Sequence, residues 1–191
     1  MTIFENRGRR TLNEASTVEE FLGLRADLGA FALGSYFAEL LETVSAEEYP
    51  DPPVLQLGLN SLYALSRALC PPEQIKAVFE LRLMCLAGYE PDLSCCARCG
   101  APEPVEPWLS LRGGAVYCAQ CRGASSSAVT PLLPETLAAM RHVVNADAKK
   151  IFSFTLGDAG RRQLARVCEE YTQMQLERGF ASLDYWKKVK D

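Results

Sequence analysis

Apolar residues recur at three- and four-residue intervals through most of this chain, the period of helices that each bury one face. Val18, Phe21, Leu24, Leu28, Phe31, Phe37, Leu40, Leu41 and Val44 form the first such run. Ser16-Thr17-Val18-Glu19 has the form of a capping box and predicts a helix start there. The run is long for one helix, and Gly29 and Gly34 are expected to divide or bend it. Asp51-Pro52-Pro53 is a cap followed by helix-starting prolines, after which Leu55, Leu59, Leu62, Leu65 and Leu69 make the next stripe. Pro71-Pro72 ends that helix and begins another, with Ile75, Val78, Phe79, Leu83 and Leu86 inward and Gly88 at the C-terminal cap. Later, Pro134 begins a helix through about Val144. A further helix is predicted from the Asp158 cap to Gly179, burying Leu164, Val167, Tyr171 and Met174. The tail, Phe180 to Asp191, mixes aromatics with Lys187, Lys188 and Lys190. Each stripe is read as core.

Between these helices the period shortens. Trp108 to Arg112 and Ala115 to Tyr117 read as two short strands joined by a two-residue turn at Gly113-Gly114. Flanking them are Cys96-Ala-Arg-Cys99-Gly100 and Cys118-Ala-Gln-Cys121, two C-x-x-C pairs separated by eighteen residues. Two residues between thiolates let one backbone knuckle present both sulfurs to an ion about 2.3 Å away. Gly100 allows the turn that follows. The spacing predicts one closed, structural zinc site of Cys96, Cys99, Cys118 and Cys121, with no open coordination position for catalysis. An iron centre also fits four thiolates. Cys95 competes with Cys96 for the first ligand position, and the symmetry of the spacing favours Cys96. A redox reading is weaker, because neither a secretory apolar segment nor a βαβ pattern accompanies the motif. Gly123 to Ser127 reads as a flexible exit loop, and Cys70, Cys85 and Cys168 as small buried hydrophobes. The fold class expected is mainly α: a helical bundle with a small four-cysteine hairpin lobe inserted at residues 93–124.

The 191 residues suffice for one substantial core plus a metal lobe. No apolar stretch reaches the ~20 residues of a spanning helix, so no membrane association is expected. The formal charge of −4 counts cysteines as neutral, and zinc on four thiolates would bring it to −6. That is a poor overall charge for a nucleic-acid binder, yet it is unevenly spread. Residues 1–10 carry net +2 and residues 16–53 net −7. Residues 141–191 hold ten bases against seven acids. Contact with phosphates would therefore use the two ends of the chain, and Arg7, Arg9 and Arg10, with Lys149 and Lys150, are the candidates.

The order of these pieces carries a resemblance. Phe79-Glu80-Leu81-Arg82-Leu83 and Gly88-Tyr89-Glu90-Pro91-Asp92-Leu93 lead into Cys96-x-x-Cys99-Gly100. Gly113-Gly114, Cys118-x-x-Cys121, a proline-led helix and Gly179-Phe180-Ala181-Ser182-Leu183 follow. With Arg25-Ala26-Asp27-Leu28 and Glu39-Leu40-Leu41-Glu42, about residues 12–186 resemble the C-terminal part of the bacterial RecO recombination mediators. RecO proteins begin with an OB-fold barrel that binds single-stranded DNA. Here only Phe4 to Leu12 resembles its end, so residues 1–12 are expected to be a strand remnant, unpaired and mobile, and 13–191 the helical domain. The resemblance implies a non-enzymatic, cytoplasmic, nucleoid-associated protein of the RecF pathway. It would act with RecR on single-stranded DNA coated by single-strand binding protein (SSB), help RecA load, and anneal strands. It also implies that the helical part receives the acidic, phenylalanine-ended SSB tail, a site that needs an apolar pocket with a cationic rim. Arg161, Arg162 and Arg166 could supply that rim, or be solvated charges on a helix face.

Two other readings stand beside this one. A zinc-stapled interaction module without a nucleic-acid role would suit the acidic charge. Arf GTPase-activating proteins have a similar four-cysteine finger, but their family places the catalytic arginine where this chain has Ser126, and Arg122 lies too close to the knuckle to substitute. No catalytic constellation competes: His142 is the lone histidine, and there is no Walker motif or strand-led G-x-G-x-x-G. Neither hydrolase nor transferase activity, nor a small-molecule substrate, is expected.

Overall fold

The computed structural model describes residues 2–46, 51–125 and 129–190. Ser126 and Ser127, which enter two of the expectations above, lie outside them.

The first two strands, β1 (Thr2–Asn6) and β2 (Arg9–Glu14), pair antiparallel with Glu5 opposite Arg10 and Asn6 opposite Arg9. This corrects the expectation of a single unpaired strand over residues 1–12. Arg7 and Gly8 both adopt positive φ, 52° and 76°, giving the two-residue turn whose twist matches its strands. Every residue from Thr2 to Glu14 is exposed.

The helical body follows. The structure has no helix at Ser16. The side chain of Glu19 accepts from the Phe21 amide, and the first helix, α1, spans Leu22–Ala26. Asp27 then turns extended and its carboxylate caps Ala30, opening α2 (Leu28–Val44). The run therefore breaks at a cap residue, and both Gly29 and Gly34 lie inside α2. Asp51 caps α3 (Pro52–Ser66) as the sequence predicts, but its buried side is Val54, Leu57, Ser61, Ala64 and Leu65. Leu55, Leu59 and Leu69 are exposed. Of the predicted stripe Leu65 is buried and Leu62 packs partly against the core, so the buried face is turned from the leucine line toward Val54, Leu57, Ser61 and Ala64. Gly58 sits where an added Cβ would come within 2.7 Å of Leu41, so close approach of α2 and α3 selects that side.

Helix α4 (Pro72–Leu86) is the central element, buried on every side from Gln74 to Leu81 and at Leu83 and Met84. Gly88 takes φ 88° and the Tyr89 amide donates to Met84, so the predicted glycine cap holds. The lobe contributes β3 (Trp108–Ser110) and β4 (Ala115–Tyr117), paired through a four-residue loop in place of the expected two-residue turn. A third strand, β5 (Val129–Pro131), adds to β3 on its other edge and carries the chain back to the body. Then come α5 (Pro134–Asn145), α6 (Asp158–Leu176) and α7 (Ala181–Val189), the last being helical order that the mixed tail sequence did not declare. Met174, expected inside, is half-exposed, as are Leu28 and Phe31 at 58% and 57%. None of the described helices is long and apolar enough to cross a membrane.

Phe37 of α2 stacks on Phe79 of α4 at 4.2 Å between ring centroids, and Tyr36 meets Phe180 edge-on. Amid this apolar packing lie Lys76 and Glu80, 1% and 0% exposed and one helical turn apart on α4. Lys76 Nζ donates to Glu80 at 2.9–3.0 Å, lies 2.9 Å from Glu169 of α6, and reaches the Ala165 carbonyl. Tyr36 donates its hydroxyl to Glu80 at 2.8 Å, and Lys187 of α7 closes on Glu169. Four helices thus meet on one charged cluster. Burial pushes the Glu80 pKa up and Lys76 opposes it. Burial also disfavours ionised Glu169, but Lys76 and Lys187 outweigh it and hold that carboxyl below its usual range.

Removing one member of such a pair strands the other in an apolar core. Lys76→Met is expected to cost about 3–5 kcal/mol. The triple replacement Tyr36→Phe, Lys76→Met, Glu80→Leu should recover most of that loss. Urea denaturation of the three proteins checks both statements.

Candidate functional site

The lobe brings the two C-x-x-C pairs together. The sulfurs of Cys96, Cys99, Cys118 and Cys121 all lie within 4.8 Å of one another. Cys118 Sγ stands 3.9 Å from both Cys96 Sγ and Cys99 Sγ. Four ligands about 2.3 Å from one tetrahedral ion are themselves about 3.8 Å apart, so this donor set could hold a metal ion. The knuckles are tight turns: the Gly100 amide donates to Cys96 O at 2.8 Å with Gly100 at φ 72°, and the Cys121 amide donates to Cys118 O. Cys96 is buried in the cluster, whereas Cys95 turns its sulfur toward Ser94. Burial raises the Cys96 pKa, but amides of Cys99, Cys118 and Arg98 more than offset this and bring it down to about 6. Cys121 is pushed up to about 12, chiefly by its hydrogen bond with Cys118. Four bare thiols this close share protons instead of all ionising.

The lobe is fastened to the helices by a residue the sequence gave no reason to single out. Arg141 of α5 donates through Nε to Leu93 O at 2.7 Å, through one terminal nitrogen to Pro102 O and Ser94 O, and through the other to Glu103. One guanidinium fork thus holds both strands of the loop that carries the first cysteine pair. Tyr171 of α6 adds a hydroxyl bond to Tyr89 O, and Gln175 one to Leu111 O.

Elsewhere, Arg161, Arg162 and Arg166 line one side of a cavity of about 500 Å³ between α4, α6 and α7. Lys76 reaches it from the core, and Lys187 and Lys190 close the α7 side. Six cations thus face two acids, Glu73 and Glu169, with Trp186 and Ala165 as apolar wall. Arg161 is held by Asp158 and Arg166 by Glu170, while Arg162 is exposed and has no acidic partner among the described residues. Lys76, Lys187, Lys190 and Trp186 were missed as members. Helical spacing from Arg162 and Arg166 leads to Glu169, but only the fold places α4 and α7 opposite.

The nucleic-acid candidates are not gathered in one place. Arg7 occupies the hairpin turn, and Arg9 and Arg10 lie on β2, with Arg10 3.4 Å from Glu5. Lys149 and Lys150 sit exposed in the connection between α5 and α6. His142 contacts the Lys150 carbonyl at 2.9 Å and packs edge-on against Phe154. Cys168 is fully buried, as expected, and Cys70 and Cys85 are half-buried. Burial pushes the Cys70 thiol up to about 11 and the Cys85 thiol up to about 12, which favours the protonated form of each.

A helical body around a buried charged helix, carrying a four-thiol hairpin lobe between its fourth and fifth helices, defines a class of helical domain with an inserted four-cysteine lobe. The family model described as "Recombination protein O C terminal" matches residues 25–184, and the chain belongs to that family. Similar proteins include the DNA repair protein RecO of Acetivibrio thermocellus, 29% identical over 98% of this chain and 74% of its own length. Those of Alkaliphilus metalliredigens and Symbiobacterium thermophilum are each 27% identical, covering 98% and 96% of this chain and 76% and 73% of theirs.

The Arg141 fork is expected to hold the lobe more than the bundle. Arg141→Ala should loosen the lobe by about 1–3 kcal/mol. Limited proteolysis should then cut within residues 93–106 first, while the melting transition of the helices moves little.

Proposed function

We propose that this chain acts in recombinational DNA repair as a RecO-type mediator of the RecF pathway. In this reading it performs no chemistry of its own. It recruits SSB-coated single-stranded DNA, works with RecR, helps RecA load and promotes annealing. The observation that carries the reading is the cationic cavity between α4, α6 and α7, which unites the three arginines the sequence nominated. A docking site for the acidic, phenylalanine-ended SSB tail needs cations to take carboxylates and an apolar wall for the ring. Arg162, exposed and without an acidic partner among the described residues, is the group best placed to take the first carboxylate. Arg7, Arg9 and Arg10 on the hairpin, with Lys149 and Lys150, supply phosphate contacts.

A labelled peptide copying the SSB tail is expected to bind with micromolar affinity, and a peptide lacking the terminal phenylalanine is not. Arg162→Ala should weaken binding at least about tenfold, as loss of a charged hydrogen bond does. Equal binding of both peptides, or indifference to Arg162, would remove this cavity as the docking site.

The lobe supplies shape and stability. One Zn2+ per chain, held by Cys96, Cys99, Cys118 and Cys121, stands in for the apolar core that so short a segment cannot build. The sulfur separations near 3.9 Å and the all-thiolate set favour zinc in a closed site. Metal analysis by mass spectrometry should find one equivalent of zinc in the native chain and in Cys95→Ser. Cys96→Ser and Cys121→Ser should lose it and become protease-sensitive in the lobe.

A further inference from the structure

Among the described helices, α3 alone carries no charged residue from its first position, Pro52, to its last, Ser66. A helix without a charged face normally lies wholly inside a protein. This one does not. Its inner side is built from Val54, Leu57, Ser61, Ala64 and Leu65. Leu55, Leu59 and Tyr63, each four residues from the next, align along the opposite side and are 62%, 47% and 43% exposed. The uncharged Gln56 lies exposed beside them. On the flank toward α1 and α2, Leu62 packs beside Gly34 of α2, and Ser66 Oγ accepts from the Gly23 amide of α1 at 3.2 Å.

The surroundings of this apolar line are acidic. Residues 16–53, which supply the flanking helices α1 and α2, carry net −7. At the C-terminal end of α3, Arg67 stands over the Tyr63 ring and lies 3.8 Å from Glu19, and Glu20 follows exposed. Midway along α3, Leu41 of α2 meets Gly58, and the next residue, Glu42, is exposed. Neither Glu20 nor Glu42 has a cationic partner among the described residues. Charge therefore decides between possible occupants. A second copy related by a two-fold axis would bring two acidic rims together, and nucleic acid or an anionic membrane would be repelled. A cationic partner is attracted.

We propose that the outer face of α3 receives a cationic amphipathic helix of a partner protein. The apolar side of that helix lies along Leu55, Leu59 and Tyr63, anchors at the spacing by which one helix reads another. Its lysines or arginines fall toward Glu20 and Glu42. An uncharged centre bordered by charge is the usual anatomy of a protein interface, because desolvating a charge at the centre is costly. The face shares no residue with the cationic cavity between α4, α6 and α7. The two surfaces thus select partners of opposite charge, and the occupancy of one does not require the other to be empty.

Fluorescence anisotropy with three synthetic peptides tests this surface. One has leucines at helical spacing and lysines elsewhere, the second scatters the same residues, and the third replaces every lysine with glutamate. The first is expected to bind at least about tenfold more tightly than either control. Leu59→Gln and Leu55→Gln change exposed positions without changing charge, so each should weaken that binding about tenfold while the melting temperature stays put. Replacing Glu20 and Glu42 together by Gln should weaken it about threefold and flatten its dependence on salt. Equal binding by the native chain and both leucine variants would reduce the contact to general attraction toward an acidic surface and overturn the proposal. So would equal binding of the glutamate peptide, or no binding of the first. A native chain that sediments as a dimer, and as a monomer in Leu59→Gln, would give the face to a second copy instead.

Discussion

The helical body is arranged around Lys76, a lysine only 1% exposed at the inner wall of the cationic cavity. An ammonium in an apolar interior costs far more than it returns unless its donors are matched. Lys76 is matched by Glu80 on its own helix, by Glu169 on α6 and by the Ala165 carbonyl. Glu80 in turn needs Tyr36 from α2, and Glu169 needs Lys187 from α7. These requirements fix the rotation of four helices about their axes, which greasy contact between leucines does not do, since apolar burial is non-directional. The cluster also explains why the cationic cavity lies where it does. Its inner wall is the outer edge of the core's own charge compensation.

The lobe follows a different logic. Its hairpin is too small to bury a core, and its two cysteine knuckles come from loops with little regular structure of their own. Orientation is delegated to side chains of the body, above all to Arg141, whose planar fork meets three carbonyls and a carboxylate. Strand β5 then makes the return path part of the lobe's sheet, so the lobe is tied to the body at entry and at exit.

Much of this was legible beforehand, and what was not has definite causes. Spacing alone identified the four thiols, because two knuckles facing one ion is a local, sequence-near constraint. The prolines and Asp51 marked helix starts for the same reason. The α3 face was misread in part: Leu65 of the leucine stripe is buried, but Leu55, Leu59 and Leu69 are exposed, and the close approach of α2 at Gly58 brings Val54, Leu57, Ser61 and Ala64 inward. The capping box at Ser16 failed because Glu19 spends its carboxylate on Phe21, and the chain waits until Leu22 to turn helical. Nothing local in the sequence marks the charged residues of α4 as buried. Only the arrival of α2 and α6 makes burial of Lys76 and Glu80 tolerable. The arginines of α6 were visible as a group, but their companions on α4 and α7 are distant in sequence and were not.

The hairpin at the start of the chain has a consequence of another kind. A two-stranded ribbon with Ile3, Phe4 and Leu12 all more than half exposed holds marginal stability of its own. Its positive-φ turn at Arg7 and Gly8 biases the right shape without enforcing it. Whatever settles on this ribbon must therefore pay part of its contact energy as the entropy of stiffening the strands. Such contacts are weaker per unit area than those of a rigid surface, and they release quickly.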